Sequence, residues 1–450
     1  MHVSAAGATA PARLSRGLAP AALAATLWAS AAGAMTLEDA LASAYATNPQ
    51  LASARATLRR TDELVPQALA VGRPSVSIGG GVGLSDTQGA GPVGAVDARV
   101  PIWTAGRVGA AAAQAREAVQ AGQEQLVAAE EDVLLRATTA YVDVLRAQGV
   151  VDATREHERA LQADLDSAQR RQAAGLVTAT DVAGNRSQLA AATARRTQAE
   201  GDLEIAREVF RSIIGADPGR LSPPPPAPNL PASRDEAILA ADDNPQNRAA
   251  VRNVAAAESG VEAAIAQLRP SLAAQATVTF GYQAGVLLTV PLYDGGLVAA
   301  RTRAAREDLS ARRLDLDAQR RNSRQSAVTA WQALTTARAS IDAYTVQVDS
   351  ARATRDGVRR EMDQGLRTEL QVLQAEQNVI DAELNLLGAR RDSVVAAYQL
   401  LAATGRLTAA ALALPVESYD PTAHAASASR KGWDWSIEKE AYRFGGTQRR

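Results

Sequence analysis

The chain has no cysteine. That excludes a disulfide framework, a thiolate metal site and a lipidated N-terminal cysteine. Histidine is nearly as scarce: His2, His157 and His424 lie far apart, and no HExxH-type spacing exists to hold a metal. Aromatic residues make up only 4%, too few for a globular core of large side chains. Abundant alanine suits long helices packed closely through small residues. The net charge is −1 and no basic block stands out to track a phosphate backbone, so nucleic acid is not expected as a partner. Beyond residue 34 there is no run of 18 consecutive apolar residues, so no transmembrane helix is expected. No nucleophile, base and acid constellation can be assembled, and Gly79-Gly80-Gly81 lies in a strand pattern, not in a nucleotide-binding fingerprint. The chain is therefore not expected to be an enzyme or to carry a cofactor.

What is present is a duplication. Val290-Pro291-Leu292-Tyr293-Asp294-Gly295-Gly296 matches Val100-Pro101-Ile102-Trp103-Thr104-Ala105-Gly106. The offset of 190 positions persists in Gly365 against Gly175, Val372 against Val182 and Gly405 against Gly215. Upstream it is 196, with Pro270 against Pro74 and Asn244-Pro245-Gln246 against Asn48-Pro49-Gln50, which places a six-residue loop difference between the prolines. The division read from this is a signal peptide over 1–34, a first repeat over 35–216, a proline-rich linker over 217–233, a second repeat over 234–408 and a tail over 409–450. The signal reading rests on Arg13 and Arg16, the apolar stretch Leu18 to Leu27 and the cleavage pattern Ala32-Gly33-Ala34, so the mature chain is expected to start at Met35. Pro223 to Pro226 make the linker extended and semi-rigid. The tail, with Trp433, Trp435, Tyr442 and Phe444 among charges, is expected to be mostly disordered.

Each repeat reads alike. Thr36 to Val71 is a helix with Thr36 and Asp39 in a capping-box arrangement and a local turn or kink at Asn48-Pro49. After Pro74 the apolar period changes from 3.6 to 2, and a β-hairpin is expected over 75–103, with Ser85 to Pro92 as its loop. A second hairpin is expected over 271–294, turning near Gln283-Ala284-Gly285. Long helices follow, from about Thr104 to Ala174 and from about Leu297 to Gln364. One sevenfold series runs Val119, Leu126, Val133, Ala140, Ala147, Thr154, Leu161, Ala168; the other runs Leu309, Leu316, Ser323, Ala330, Ala337, Tyr344, Ala351, Val358. Such spacing predicts coiled-coil packing over roughly 100 Å. Each long helix ends in a glycine turn, Gly175-Leu176-Val177-Thr178 or Gly365-Leu366-Arg367-Thr368. A return helix follows, Thr180 to Ile214 or Glu369 to Thr404, stopped by Gly215 or Gly405.

The four strands are each about 10 residues long, the length of a tilted membrane-spanning strand, with one apolar face and one small or polar face. Four strands cannot close a barrel, and open edges are not tolerated in lipid, so several chains must share one barrel if these strands span a membrane. Two chains would give eight strands and a filled interior; three would give twelve and room for a lumen, which the small inward residues fit better.

The duplicated halves, the doubled Asn-Pro element, the Val-Pro-Leu-Tyr-Asp-Gly-Gly strand end and the Gly-Leu-x-Thr turns together resemble the TolC family of outer-membrane channel proteins, over about residues 35–415. The resemblance implies a mainly α fold with a small β part: a homotrimer with a 12-stranded barrel in the outer membrane and a long α-helical barrel crossing the periplasm. It implies no catalysis. It implies an exit duct recruited by a periplasmic adaptor protein and an inner-membrane transporter of ABC or RND type. The segment Leu414 to Pro421, with His424 after it, looks like the branch associated with type I protein secretion. A multidrug-efflux duct is the near alternative, and a non-pore periplasmic coiled-coil adaptor is the alternative of another class.

The resemblance also implies a gate where the turns and the starts of the return helices narrow the periplasmic end. Asp181 matches an acid that pairs with an arginine after the second turn glycine, here Arg367, and Thr180 neighbours that acid. The position of a second, tyrosine latch is held by Met362. Two aspartates that ring the narrowest point in the archetype are replaced by Gln371 and Gln374, so a strong cation-binding collar is not expected; Asp363 and Glu369 are the acids nearby that can restore charge.

Overall fold

The computed structural model describes residues 34–85, 89–279 and 282–428. The signal segment before Ala34 and the four aromatic residues near the C-terminus lie outside the described residues. The elements run α1 (Leu37–Thr47), α2 (Pro49–Asp62), α3 (Leu64–Ala70), β1 (Ser75–Ser85), β2 (Gly89–Trp103), α4 (Arg107–Ala173) and α5 (Ala179–Ile214). They continue as α6 (Arg234–Ala241), α7 (Pro245–Ile265), β3 (Ser271–Val278), β4 (Tyr282–Thr289), α8 (Leu297–Asp363), α9 (Glu369–Ala403) and α10 (Ala423–Ala428). The fold is mainly helical with one small antiparallel sheet.

The expected helix 36–71 is three helices. Thr36 and Asp39 form the capping box of α1, each accepting the other's backbone N–H at 3.1 Å. Asn48 then ends α1 and caps α2, accepting the Gln50 N–H at 2.9 Å, with Pro49 at the first helical position where its missing N–H costs nothing. The Asn48 amide also donates to the Ile213 carbonyl at 2.9 Å, tying the break to the end of α5. Asn244 does the equivalent in the second half, capping Asn247 at 2.8 Å and donating to Ser323 on α8 at 3.0 Å. The Asn-Pro element is thus a cap and a strut at once.

Both long helices turn their sevenfold seam inward. In α4, Val119, Leu126, Val133, Ala140, Thr154, Leu161 and Ala168 are buried. In α8, Ser323, Ala330 and Ala337 are buried, and the rest of the series is half-buried. The main core lies at a waist. It joins the middles of α4 and α8, the ends of α5 and α9, and the starts of both repeats; Tyr141 and Phe210 are its largest fully buried side chains. Tyr141 donates its hydroxyl to the carbonyls of Met35 at 2.8 Å and Ser222 at 2.7 Å, pinning the N-terminal segment against the proline-rich linker.

Gly405 ends α9 in the left-handed conformation at φ 70°, and a Cβ there would sit 2.9 Å from Pro245 Cδ and 3.2 Å from the Asn244 backbone. Gly405→Ala is expected to destabilise the fold by about 2 kcal/mol, from backbone strain plus overlap. Thermal unfolding followed at 222 nm measures this; an unchanged midpoint would show that the waist yields freely.

The tail is ordered further than its composition suggests. Leu407, Ala409 and Leu414 are buried in the waist, and Val416 and Tyr419 pack against it. Glu130 accepts the Ala409 N–H at 2.6 Å, and the Leu407 N–H hydrogen-bonds Glu131. Arg55 lies between the rings of Tyr45 and Tyr419, 4.7 and 5.2 Å from their centres, and His424 Nδ1 is 2.9 Å from Asp62 Oδ2. The expectation of a mostly disordered tail is therefore corrected as far as Ala428: scattered apolar and aromatic residues suffice once a preformed groove receives them.

The strands form one open sheet in the order β1-β2-β3-β4, all antiparallel. In the second hairpin Val278 lies opposite Tyr282, which corrects the turn expected near Gln283-Ala284-Gly285. Gln283-Ala284-Gly285 is paired strand opposite Thr277-Ala276-Gln275, and the ladder stops at Thr289, short of Val290 to Asp294. Pairing in the first hairpin likewise begins at Gly89, inside the expected loop. Glycine and alanine carry weak strand propensity, but ladder bonds need only backbone, so an available partner strand overrides it. The register aligns Val76, Ile78, Val96, Ala98, Val100, Ala274, Ala276, Val278, Ala284, Val286 and Leu288 on one face. The other face carries Ser77, Gly79, Asp97, Gln275 and Thr277, with the Thr277 hydroxyl donating to Asp97 at 2.7 Å. The apolar face is bare: Ile78, Val82 and Tyr282 are each more than four-fifths exposed in one chain. Among the described residues no helix is long and apolar enough to cross a membrane.

Candidate functional site

The hairpin tips, at the far end from the sheet, are built by local chemistry in duplicate. Each long helix closes with paired reversed hydrogen bonds. Leu176 N–H donates to Arg171 O and Gly175 N–H to Gln172 O, both at 2.9 Å; Leu366 and Gly365 do the same to Glu361 and Met362 at 2.8 Å. The glycines take φ 74° and 79°, the left-handed geometry this cap requires. Three residues on, Thr178 and Thr368 open the return helices with capping boxes, the first with Asp181 and the second with Gln371. Leu176 and Leu366 are left at the very ends, 73% and 71% exposed.

This placement redistributes the predicted gate residues. The cap of α5 is Thr178, so Thr180 lies one position inside the helix from Ala179 and is exposed. Asp181 accepts the Thr178 N–H at 2.9 Å and its hydroxyl at 2.7 Å; these bonds, first the backbone one, hold its carboxyl below the usual range. Arg367 bonds Glu361 at 2.7 Å within its own hairpin, both side chains being 45% exposed. Within one chain, Asp181 and Arg367 are therefore not joined. Gln371 spends its amide oxygen on the Thr368 N–H at 3.0 Å, while Gln374 is exposed on α9. Met362 is half-buried, its sulfur 4.0 Å from Arg171 Nη1.

The contacts that do cross between the two hairpins involve residues that, Glu369 apart, sequence reading did not single out. Along the seam between α4–α5 and α8–α9, Arg391 bonds Asp143 at 2.7 Å, Arg195 bonds Gln377 at 2.7 Å, Arg359 bonds Asp164 at 2.6 Å and Arg171 bonds Glu369 at 2.7 Å. Leu161, Ala192 and Leu373 fill a small apolar cluster among them. Glu376 is buried with Arg359 at 3.6 Å and Arg355 at 3.9 Å; burial raises its carboxyl pKa, and the arginines oppose the rise. Asp164 is raised by burial too, opposed by Arg359 and Arg171. A signal for these residues existed in the duplication: Arg171 stands where the second repeat has Glu361, and Glu376 where the first has Arg186, so charge is reversed at matched positions. These bonds join the two hairpins along their length, down to the last turn of α4 and the first turn of α9.

Comparison with known proteins agrees with this architecture. The family model described as outer membrane efflux protein matches residues 40–216 and 238–406. The chain is 31% identical over 326 residues to the outer membrane efflux protein BepC of Brucella suis, covering 69% of this chain and 72% of that protein. It is 27% identical over 227 residues to the outer membrane protein TolC of Vibrio cholerae, covering 44% of this chain and 52% of that protein. The CmeC outer membrane channel of Campylobacter jejuni superposes with a TM-score of 0.74 at 14% identity, covering 89% of this chain and 90% of that one, a likeness of fold. Two glycine-capped helical hairpins, a sheet with a bare apolar face and a family match across both repeats carry one conclusion: the chain belongs to the outer membrane efflux protein family, the TolC-like channels of the outer membrane.

Proposed function

We propose that this chain is a passive exit duct that works as a homotrimer, with twelve strands closed into one barrel and the long helices into a second. The observation that carries this is the unfinished surface of the single chain. β1 and β4 are each paired on one side only, and in lipid an open ladder edge is too costly to persist. The helices are unfinished in the same sense. α4 buries 19 of its 67 residues and α8, equally long, only 7, so α8 keeps a long face for another copy. Ile205 on α5 and Leu314 and Val346 on α8 are each about two-thirds exposed.

The tips then form the periplasmic gate, and the exposed Leu176 and Leu366 offer a periplasmic adaptor an apolar foothold. Because Asp181 and Arg367 do not meet within a chain, a latch between them is a contact from one protomer to the next. Both groups are partly exposed, and such pairs contribute ~0–1 kcal/mol, weak enough for adaptor binding to break. The C-terminal segment Leu414 to Pro421 supports a role in type I protein secretion. The second reading is drug efflux; the BepC relative is described as an efflux protein. Restoring either protein export or drug resistance to a bacterium lacking its own duct separates the two.

The direct test is single-channel conductance of the purified chain in a planar bilayer. A small, gated conductance is expected, rising in Arg367→Ser. A chain that washes off membranes with alkali and does not conduct would instead be a periplasmic spacer; unchanged conductance in Arg367→Ser would remove the role given to that arginine.

A further inference from the structure

Every polar contact at the tips can be asked one question: does it tie together parts that must separate for the end to widen? Arg367–Glu361 does not, because both residues belong to the second hairpin. The two capping boxes do not, because each links residues three positions apart within one hairpin. Arg171–Glu369 does. Arg171 is in the last turn of α4 and Glu369 in the first turn of α9, 198 residues apart in sequence, and their side chains meet at 2.7 Å. Each lies four residues from a turn glycine, so among the described cross-hairpin ion pairs this one is closest to the free ends.

From this geometry we infer that Arg171 and Glu369 form the within-protomer latch of the gate, holding the two hairpin tips of each chain together in the closed state. The inference deepens the duct reading and rests on it. Three features distinguish this pair from the ordinary surface pairs of the chain. Glu369 is only 9% exposed and Arg171 29%, whereas Arg367 and Glu361 are each 45% exposed. Breaking a partly buried pair leaves a charge that water reaches poorly, so the pair resists separation more than an exposed one does. Both charges also sit where helix dipoles favour them, a cation at a C-terminus and an anion at an N-terminus. Finally, the arginine is held on a second side by Met362, the residue standing at the tyrosine-latch position, and its charge also reaches Asp181. Arg171 is thus a hub touched by both hairpins.

Just above, Asp164–Arg359 at 2.6 Å, backed by the buried Glu376, makes a second tie along the same seam. The lower pair releases first if the tips splay, because it lies nearest the free end; the upper one then limits how far the splay runs. Removing the Arg171 charge does more than delete a bond. It leaves the Glu369 carboxylate in a site that water reaches poorly, and separation of the hairpins is the movement that rehydrates it.

The test is a charge-swap series on the full-length trimer. Arg171→Glu and Glu369→Arg, each placing like charges together, are expected to raise the open fraction by about tenfold or more. The double variant Arg171→Glu/Glu369→Arg restores attraction and is expected to return conductance to the parental level, a rescue that damage to packing would not show. Single variants that gate like the parent, or a double variant as open as the singles, overturn the inference. Because the chain lacks cysteine, spin labels at Leu176→Cys and Leu366→Cys, both exposed, report the tip separation independently of conductance. The distance is expected to lengthen in Arg171→Glu, and in the milder Arg171→Gln if the reversed charge prevents assembly; an unchanged distance overturns the latch. A parental chain that never conducts would sink the duct reading, and the label distance would still decide the latch.

Discussion

Glu131→Gln is expected to stabilise the protein at pH 8 by on the order of 4 kcal/mol and to change little at pH 4.5. Glu131 lies in the middle of α4, 5% exposed, with one carboxyl oxygen lacking a partner among the described residues. Burial pushes its pKa from 4.5 up to about 8, against the pull of the Leu407 N–H and of Arg248; neighbouring Glu130 pushes the same way. Arg248 helps little because its guanidinium is already bonded to Glu124 at 2.9 Å. Between about pH 4.5 and 8 the folded chain therefore holds a proton that the unfolded chain has released. Stability falls as pH rises through that window, by up to about 1.4 kcal/mol per pH unit, and levels off above it. Glutamine keeps an acceptor for the Leu407 N–H and has no proton to lose, so the variant should lose this part of the pH dependence. Thermal unfolding in detergent between pH 5 and 8.5 measures it. A variant less stable than the parent at pH 8 would show that the carboxylate is ionised and satisfied in the waist. The consequence is functional as well, since Glu130 and Glu131 hold the segment that follows α9, and α9 carries one side of the gate.

Ile78→Arg is expected to abolish most of the assembled trimer, while Ser77→Arg on the same strand leaves it largely intact. The two residues are adjacent in β1 and point to opposite faces, as their register with Val96 and Asp97 fixes. Ile78 is 84% exposed in one chain, on the continuous apolar face. An arginine facing lipid near mid-membrane costs about 2–4 kcal/mol per chain, and a trimer carries three. A lumen-facing arginine meets water and costs little, changing ion selectivity instead. The amount of trimer recovered in the outer-membrane fraction reads both. Equal recovery of the two variants would mean that the strands have no lipid face, and the sheet would then be an ordinary soluble one.

Much of this molecule was legible in its sequence because its determinants are local. A sevenfold series such as Val119 to Ala168 can only be a seam on a long helix, since no other backbone brings every seventh residue to one side. Gly175, Gly215, Gly365 and Gly405 stop helices because the left-handed conformation they adopt is strained for other residues. Strand alternation and the duplication followed from counting. The caps at Thr36 and Asn48 needed only side chains two or three residues away from the N–H groups they satisfy.

What the sequence left open depends on partners distant along the chain. Gln283-Ala284-Gly285 is strand where a turn was expected, because the register is set by which residues of β3 and β4 can face each other across the whole ladder. The tail was expected to be loose because its apolar residues are sparse. It is held by a groove formed from α1, α2 and α4, which no local pattern in the tail announces. The gate shows the division most clearly. Sequence identified the tips, and resemblance nominated Asp181 and Arg367, yet within the chain those two charges are taken up by Thr178 and Glu361. The bond that crosses is Arg171–Glu369, chosen from many arginines and acids only by how two helices, started far apart in the chain, come to lie side by side. Sequence by itself determined the long helices with their glycine stops and the presence of four strands. Only the tertiary structure decided which charge meets which, because an ion pair is selected by distance and burial, and neither is written along the chain.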